Sequence, residues 1–334
     1  MIFFGRPATV FLLVCLFSGV MTAQTNGEIV APKAYKPPVI TESKELHTAL
    51  VQTVEELISS YPKDKPLKGE EVAISLIDVT DPENLRTGFF RGDARIYPAS
   101  VVKMFYMVAL ERQLEDGKAT STNELTRGLR DMIVDSSNEA TQYIFDVITG
   151  TASGAEMPQK EFDAWQHKRN RVNRYFASMG YDNINVNQKT FCEDAYGIEQ
   201  QSRNYKGENR NALTTNATAR LLAEIVLGRV ASPERTKHMM DLMKRDPYAK
   251  TNDADSQASA FTGKLLIDKK MTDTRLWSKA GWTSKTRHDA AYIEMPNGQK
   301  FVLVIFTENH ANEKEIIPTI AGKIIERLSQ KRAQ

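Results

Sequence analysis

Ser100-Val101-Val102-Lys103 places a hydroxyl and an amine three residues apart. At the start of a helix, positions i and i+3 share one face. The amine can then accept the hydroxyl proton, provided burial lowers the lysine pKa. A serine at a helix start also has backbone N–H groups and the positive dipole end beside a developing oxyanion. Spacing alone is a weak signal, because Ser60-Tyr61-Pro62-Lys63 shares it. There, Pro62 and the run Lys63-Asp64-Lys65 mark a surface turn. Ser100 instead opens an apolar, Met-rich stretch reaching Gln113, with Pro98 just before it. An uncompensated lysine in such a helix is costly. Lys103 therefore needs a reason to be there, and nucleophilic acyl transfer supplies one.

Two further segments carry groups suited to the same chemistry. Ser136-Ser137-Asn138 interrupts an apolar helical stretch, where Ser and Asn sit poorly. A helix cap explains such a cluster equally well, as Ser121-Thr122-Asn123 with Glu124 illustrates. Lys279-Ala280-Gly281 falls on a predicted strand ahead of a hairpin, and Gly281 would let a substrate backbone approach closely. Without a partner site, Lys279 reads as an exposed strand lysine. Other chemistries lack their motifs: there is no Gly-x-Gly-x-x-Gly, no P-loop and no His-Glu-x-x-His. His47, His167, His238, His288 and His310 are scattered without metal-ligand spacing, so no metal or other cofactor is expected.

These groups need a scaffold. Leu46, Leu50, Val54, Leu57 and Ile58 recur at helical spacing and predict an amphipathic helix over 43–60. Val72–Ile77 and Thr87–Arg91 read as strands, and Ser100–Gln113 as a buried helix. Residues 122–247 read as mostly helical, in segments around Leu129, Met132 and Ile133, through Ala140 to Ile148, over 158–178, and over Thr215–Leu227 and Glu234–Lys244. Residues 183–213 show no period and are rich in Asn, Gln, Glu and Gly; a loop that long is usually functional. Trp277–Trp282, Asp289–Met295 and Lys300–Thr307 are strand-like, and Pro296-Asn297-Gly298 signals a hairpin between the last two. Ile316, Ile317, Ile320, Ile324, Ile325 and Leu328 form one helical stripe. The expected fold is α+β: an antiparallel sheet built from both termini, covered by the terminal helices, with an all-helical lobe inserted. The catalytic unit would span 43–330, with a sheet lobe at 43–95 and 262–330 and a helical lobe at 96–261.

The 334 residues are 41% apolar and 26% charged, which excludes collagen-like, disordered and multispanning chains. The 44 basic and 42 acidic residues leave a charge of +2, so neither nucleic acid nor an anionic membrane surface is an expected partner. Arg6, the apolar run Ala8–Val20 and Met21-Thr22-Ala23 read as a secretory signal peptide over 1–23. The run is too short for a spanning helix, and Val14 is a poor neighbour for lipidation of Cys15. The mature chain would keep one cysteine, Cys192, and no internal disulfide. A core of this size needs none. A periplasmic or secreted monomer is expected, with 24–42, which holds Pro32, Pro37 and Pro38, as a flexible leader.

In this order, the three segments resemble the Ser-x-x-Lys, Ser-x-Asn and Lys-Thr-Gly set of class A β-lactamases and penicillin-binding proteins. Residues 129–149 look like the helix pair that carries the second motif, and 277–307 like the Lys-Thr-Gly strand and its hairpin. The order of elements agrees from about Leu46 to Leu328. The resemblance implies a sheet lobe and a helical lobe with the site in the cleft between them. It also implies roles. Ser100 would be the acylated nucleophile and Lys103 its base. Ser136 would relay a proton to the leaving nitrogen, and Asn138 would hold the substrate's amide side chain. Lys279 would supply positive charge to Ser136 and to a substrate carboxylate. The N–H groups of Ser100 and Trp282 would form the oxyanion hole. A β-lactam or a cell-wall peptide would be the substrate.

The departures from the family pattern are specific. Ser137 stands where the family usually has Asp, Ala280 where it has Thr, and Trp282 where it has a small residue. The stretch from Ser100 to Ser136 is shorter than in familiar β-lactamases, which should reduce one wall of the cleft. The Glu-x-x-Leu-Asn stretch that carries the family's deacylating Glu is not found in 183–213. Glu193, Glu199 and Glu208 are there instead, and Glu193 is the best placed. Arg287 or His288 could anchor a substrate carboxylate, just before the Asp289 strand. Three functions follow as alternatives: hydrolysis of β-lactam amides; a peptidase, transpeptidase or esterase on the same fold; and a binding or sensor protein that stays acylated.

Overall fold

A computed structural model of the chain describes residues 27–330. The expected signal peptide, 1–23, lies outside the described residues. Helix α1 (Lys44–Ser60) starts where the Ser43 hydroxyl accepts from the Leu46 N–H, and it buries Leu46, Leu50, Val54 and Leu57. Its partner at the far end of the chain is α11 (Ile316–Gln330). Between them, strands β1 (Ile40–Glu42), β2 (Val72–Asp78), β3 (Leu85–Phe90), β4 (Lys244–Arg245), β5 (Arg275–Trp282), β6 (Thr286–Glu294) and β7 (Lys300–Glu308) form one sheet. Its order is β1-β3-β2-β7-β6-β5-β4. Every pair is antiparallel except β1 with β3, so the sheet is mixed at that edge. The β2–β7 ladder, Val72 opposite Thr307 through Asp78 opposite Phe301, joins the two ends of the chain.

Strand alternation splits the core in two. Val72, Ile74 and Leu76 face Leu46, Leu50, Ile320 and Ile324 of the terminal helices. Ala73 and Ile77 face the inserted helical lobe. That lobe comprises α2 (Lys103–Glu115), α3 (Asn123–Ile133), α4 (Asn138–Thr149), α5 (Gln159–Arg169), α6 (Arg171–Ser178), α7 (Ile198–Arg203), α8 (Thr215–Val226) and α9 (Pro233–Met243). α10 (Thr262–Asp268) returns the chain to the sheet lobe. Helix α2 is buried from Lys103 to Gln113, which explains its lack of a polar stripe. No described helix is long and apolar enough to cross a membrane.

The structure corrects several expectations. The leader is docked: Ile29 is buried in the core, the Tyr35 hydroxyl donates to Glu224 (2.8 Å), and Glu28 pairs with Arg174 (2.6 Å). The expected single helix over 158–178 breaks at Asn170 into α5 and α6. The aperiodic 183–213 stretch contains α7, and its polarity is largely used internally. Asn211 Oδ1, for example, accepts from the backbone N–H groups of Asn187 (3.1 Å) and Gln188 (2.9 Å).

Helix α1 crosses β3 at Gly88, where a Cβ would lie 2.4 Å from the His47 nitrogen and 2.5 Å from the Leu46 carbonyl carbon. Both are backbone atoms and cannot rotate aside. Gly88→Ala is therefore expected to lower stability by about 1–3 kcal/mol, the usual cost of overpacking. Urea unfolding measures it, and an unchanged midpoint would show that α1 lifts off the sheet freely.

Candidate active site

Ser100 lies in a single 3-10 turn, Ala99–Val102, that runs directly into α2. Ala99 has φ 45°, a left-handed conformation that costs a non-glycine residue about 1–3 kcal/mol. Strand β5 holds the turn in place. A Cβ on Gly281 would sit 2.7 Å from the Ser100 nitrogen and 2.9 Å from the Pro98 oxygen. The backbone that needs the missing side chain is thus the chain's own Pro98–Val101 turn, not a substrate's as expected. Strand β6 adds a second hold through His288, which is buried. Its Nδ1 accepts from the Thr307 N–H (3.1 Å), so the proton is on Nε2, which donates to the Tyr97 carbonyl (2.9 Å). Burial pushes its pKa down to about 4. His288 is therefore a neutral brace for the segment before Ser100, and the expectation of a carboxylate anchor is corrected.

The Lys103 side chain is buried behind that turn. Its Nζ donates to the Ser136 carbonyl (2.6 Å) and to Asn138 Oδ1 (2.8 Å). Longer contacts of 3.4 Å reach Ser136 Oγ and the Ser137 carbonyl. Its hydrogen bonds thus run to the second motif, and none runs to the Ser100 hydroxyl. Burial lowers the amine pKa to about 7, against the pull of the Glu139 and Cys192 charges. Ser136 has φ 57°, and its carbonyl and hydroxyl both lie within reach of Lys103. The next residue does the capping: Ser137 Oγ accepts from the Ala140 N–H (3.0 Å) at the start of α4. The cap therefore lies at Ser137, while Ser136 and Asn138 are the residues of this triplet whose side chains meet Lys103.

Lys279 approaches the same hydroxyl from β5. It is fully buried, and its Nζ donates to Ser136 Oγ (3.0 Å), to the Ala280 carbonyl (2.8 Å) and to Gln257 Oε1. Burial, then the charges of Lys103 and Arg245, hold its pKa well below the ordinary lysine value; Asp289 opposes them. Gln257 and Arg245 had no sequence signal, since nothing periodic or motif-like marks the segment that carries them. Gln257 Nε2 donates to the Ile133 (3.2 Å) and Val134 (2.9 Å) carbonyls, and Arg245 joins Ile133 to the Ser278 carbonyl. Among the described residues, no group of three or more metal-ligating side chains occurs.

A cleft of about 1070 Å³ opens beside these groups, with Tyr97, Asn138, Cys192, Glu193 and Trp282 among its lining residues. Trp282 is 37% exposed, and its ring centre lies 5.7 Å from that of Phe261. Asn138 Nδ2 donates to Cys192 Sγ (3.4 Å), which places the 191–193 segment over the second motif. Glu193 and Glu208 are exposed on the cleft wall. Glu199 is not: it is buried against Arg169 (2.7 Å) and Lys189 (3.4 Å). Arg287 is also withdrawn. It is buried, paired with Asp255 (2.9 Å), bonded to the Ala260 carbonyl (2.8 Å) and 4.0 Å from the centre of the Phe261 ring. The expectation of an Arg287 anchor in the cleft is corrected. Ala280 is buried in the core on the terminal-helix side of the sheet, away from the cleft.

Residues 124–328 match the model of the Beta-lactamase enzyme family, and the chain belongs to that family. The match begins downstream of Ser100 and Lys103. Solved structures share the fold over nearly their whole length. A β-lactamase from Sphaerobacter thermophilus DSM 20745 is 19% identical with a TM-score of 0.58, covering 84% of this chain and 96% of that one. PBP-A is 17% identical with a TM-score of 0.58 and coverages of 89% and 99%. A class A β-lactamase from Bacteroides cellulosilyticus DSM 14838 is 14% identical with a TM-score of 0.59 and coverages of 86% and 100%. No curated protein matches the chain. The architecture is thus that of the β-lactamase-like serine hydrolases.

The lowered Lys103 pKa has a signature in stability. Unfolded, a lysine titrates near 10.4; folded, Lys103 titrates at about 7. Between those values the unfolded chain binds more protons, so this group makes stability rise with pH. Lys103→Met removes that contribution. The variant's stability relative to the parent is expected to be greatest near pH 7 and to decline toward about pH 10. Denaturant titrations across the range check this, and a difference independent of pH would mean that Lys103 keeps an ordinary pKa.

Proposed function

We propose that the protein is a serine hydrolase that transfers an acyl group from an amide, a β-lactam in the first instance, to Ser100 and then to water. The observation that carries this reading is the convergence of two depressed-pKa lysines, Lys103 and Lys279, on the Ser136 hydroxyl behind the Ser100 turn. Ser100 Oγ attacks the substrate carbonyl and gives its proton to Lys103, which is partly unprotonated at neutral pH. The proton returns through Ser136 to the leaving nitrogen, with Lys279 as the hydrogen-bond donor that holds Ser136. The N–H groups of Ser100 and Trp282 receive the oxyanion. Asn138 and the exposed Trp282 face bind the substrate. A PBP-A variant has been solved as its acyl-enzyme complex with penicillin G, which makes penicillins the natural first probes.

The second reading is a long-lived acyl-enzyme, as in a cell-wall peptidase, a transpeptidase or a binding protein. One observation favours it: among the described residues, no carboxylate hydrogen-bonds Ser100, Lys103, Ser136 or Asn138. Water then lacks a base held in the site, and general-base help is worth about 10²–10⁴-fold. We also propose that residues 1–23 direct export to the periplasm or medium, on the charge and hydropathy pattern of that segment.

A fluorescent penicillin is expected to label the parent covalently, Ser100→Ala to abolish labelling, and Ser60→Ala to leave it unchanged. Label at another serine would overturn the assignment. Turnover should show a burst of about one product per enzyme, then a slow steady rate. Glu193→Gln tests the best-placed candidate: a kept burst with a steady rate lowered by about 10²-fold or more would make Glu193 the base. An unchanged steady rate would dismiss Glu193, and linear turnover without a burst would refute slow deacylation. N-terminal sequencing of exported protein should begin at Gln24, and a chain retaining Met1 in the cytoplasm would refute export.

A further inference from the structure

Gln257 lies on the irregular segment between β4 and α10, and its side chain is only 7% exposed. A primary amide offers two N–H donors and a carbonyl with two lone pairs. Here all four are engaged. Oε1 accepts from Lys279 Nζ and from the Ala280 N–H (3.1 Å), both on β5. Nε2 donates to the carbonyls of Ile133 (3.2 Å) and Val134 (2.9 Å). Those two carbonyls end α3 and have no partner within a helix that stops there. Two residues later comes Ser136. One side chain therefore ties the strand that carries Lys279 to the helix end that carries Ser136, the two groups that meet at 3.0 Å.

We propose that Gln257 is a positioning residue for acyl transfer: it sets Ser136 within reach of Lys279 and fixes Lys279 as the donor to that hydroxyl. The proposal rests on the acyl-transfer reading for its kinetic consequences, but the latch itself does not. Arg245 makes a parallel link from Ile133 to Ser278, yet it bonds neither Lys279 nor Ala280. The charged groups that face Lys279 are Lys103 from α2, Arg245 from β4 and Asp289 from β6, and none of them hydrogen-bonds it. Among the described residues, the Gln257 oxygen is thus the only side-chain acceptor beside Ser136 Oγ that the Lys279 amine reaches.

Two variants separate the functions of the amide. Gln257→Leu loses all four bonds. Gln257→Glu keeps an acceptor for Lys279 and Ala280 but sets a carboxylate against the Ile133 and Val134 carbonyls. With a fluorescent penicillin, both should acylate Ser100 roughly 10²-fold more slowly than the parent, the scale of a misplaced catalytic group. The alkaline limb of the acylation rate should move to lower pH in the Leu variant, where the charged amine loses an acceptor. It should move to higher pH in the Glu variant, where the amine gains a counter-charge. A merely structural residue would slow both variants without moving the limb in opposite directions, and that result overturns the proposal. Hydrogen exchange needs no substrate. The backbone N–H groups of 135–138 should exchange faster in both variants while α11 keeps its parent protection, and unchanged exchange at 135–138 also overturns it. If the parent itself takes no label, the acyl-transfer reading falls, and the exchange result alone decides whether the latch exists.

Discussion

Two lysine side chains are buried beside one serine hydroxyl, and among the described residues no carboxylate hydrogen-bonds either of them. A buried amine needs hydrogen-bond acceptors, because an unsatisfied polar group in the interior is expensive. A carboxylate would meet that need, but it would also pull the lysine pKa back up toward its ordinary value. The structure uses neutral acceptors instead: the Ser136 and Ala280 carbonyls and the side-chain oxygens of Asn138 and Gln257. These satisfy the N–H groups without supplying charge. Asp289 lies close enough to be felt, yet its Oδ2 takes the Thr262 N–H, and burial raises its own pKa.

Much of the local backbone follows from that requirement. Ser136 occupies the left-handed region between α3 and α4, where its carbonyl and hydroxyl both reach Lys103. A continuous helix would have committed that carbonyl to its own ladder. Lys279 can be brought to the same point only if β5 passes directly under the Ser100 turn, and a side chain at Gly281 would prevent it. The left-handed Ala99 and the neutral His288 brace belong to the same arrangement. The strain and desolvation concentrated here are offset by two apolar cores on the two faces of the sheet.

How much of this was legible in the sequence depended on whether a residue carried its context with it. Lys103 did, because a lysine within Val101–Leu110 is anomalous whatever surrounds it. The terminal helices and the β6–β7 hairpin did, through periodicity and Asn297-Gly298. Arg287 and His288 did not. The pattern places them just before a strand that begins at Asp289, whereas β6 begins at Thr286 and lies between β5 and β7 with both faces covered, so its polar residues are internal. The docked leader was illegible because isolated contacts, Tyr35 to Glu224 and Glu28 to Arg174, and the three-residue strand β1 hold it, too little for a periodicity to show. Gln257 was illegible for a related reason: its partners come from α3 and β5, more than 20 residues away in either direction.

The loop over 183–213 divides its carboxylates between two tasks. Arg169 is fully buried, with its guanidinium 4.2 Å from the centre of the Trp165 ring, and Lys189 is buried beside it. Glu199 is the buried carboxylate that meets both. Removing one partner of such a pair typically costs about 3–5 kcal/mol, because a buried charge is left uncompensated. Glu199 therefore anchors the loop and is not free to act in the cleft. What the anchored loop presents to the site is its other end, where Cys192 meets Asn138 and Glu193 stands in solvent. Of the groups proposed for acylation, Lys103 and Lys279 are thus buried and fixed by several hydrogen bonds each. The candidate carboxylate for activating water, Glu193, stands on a side held far more loosely. That asymmetry is the physical reason to expect the first half of the reaction to outrun the second.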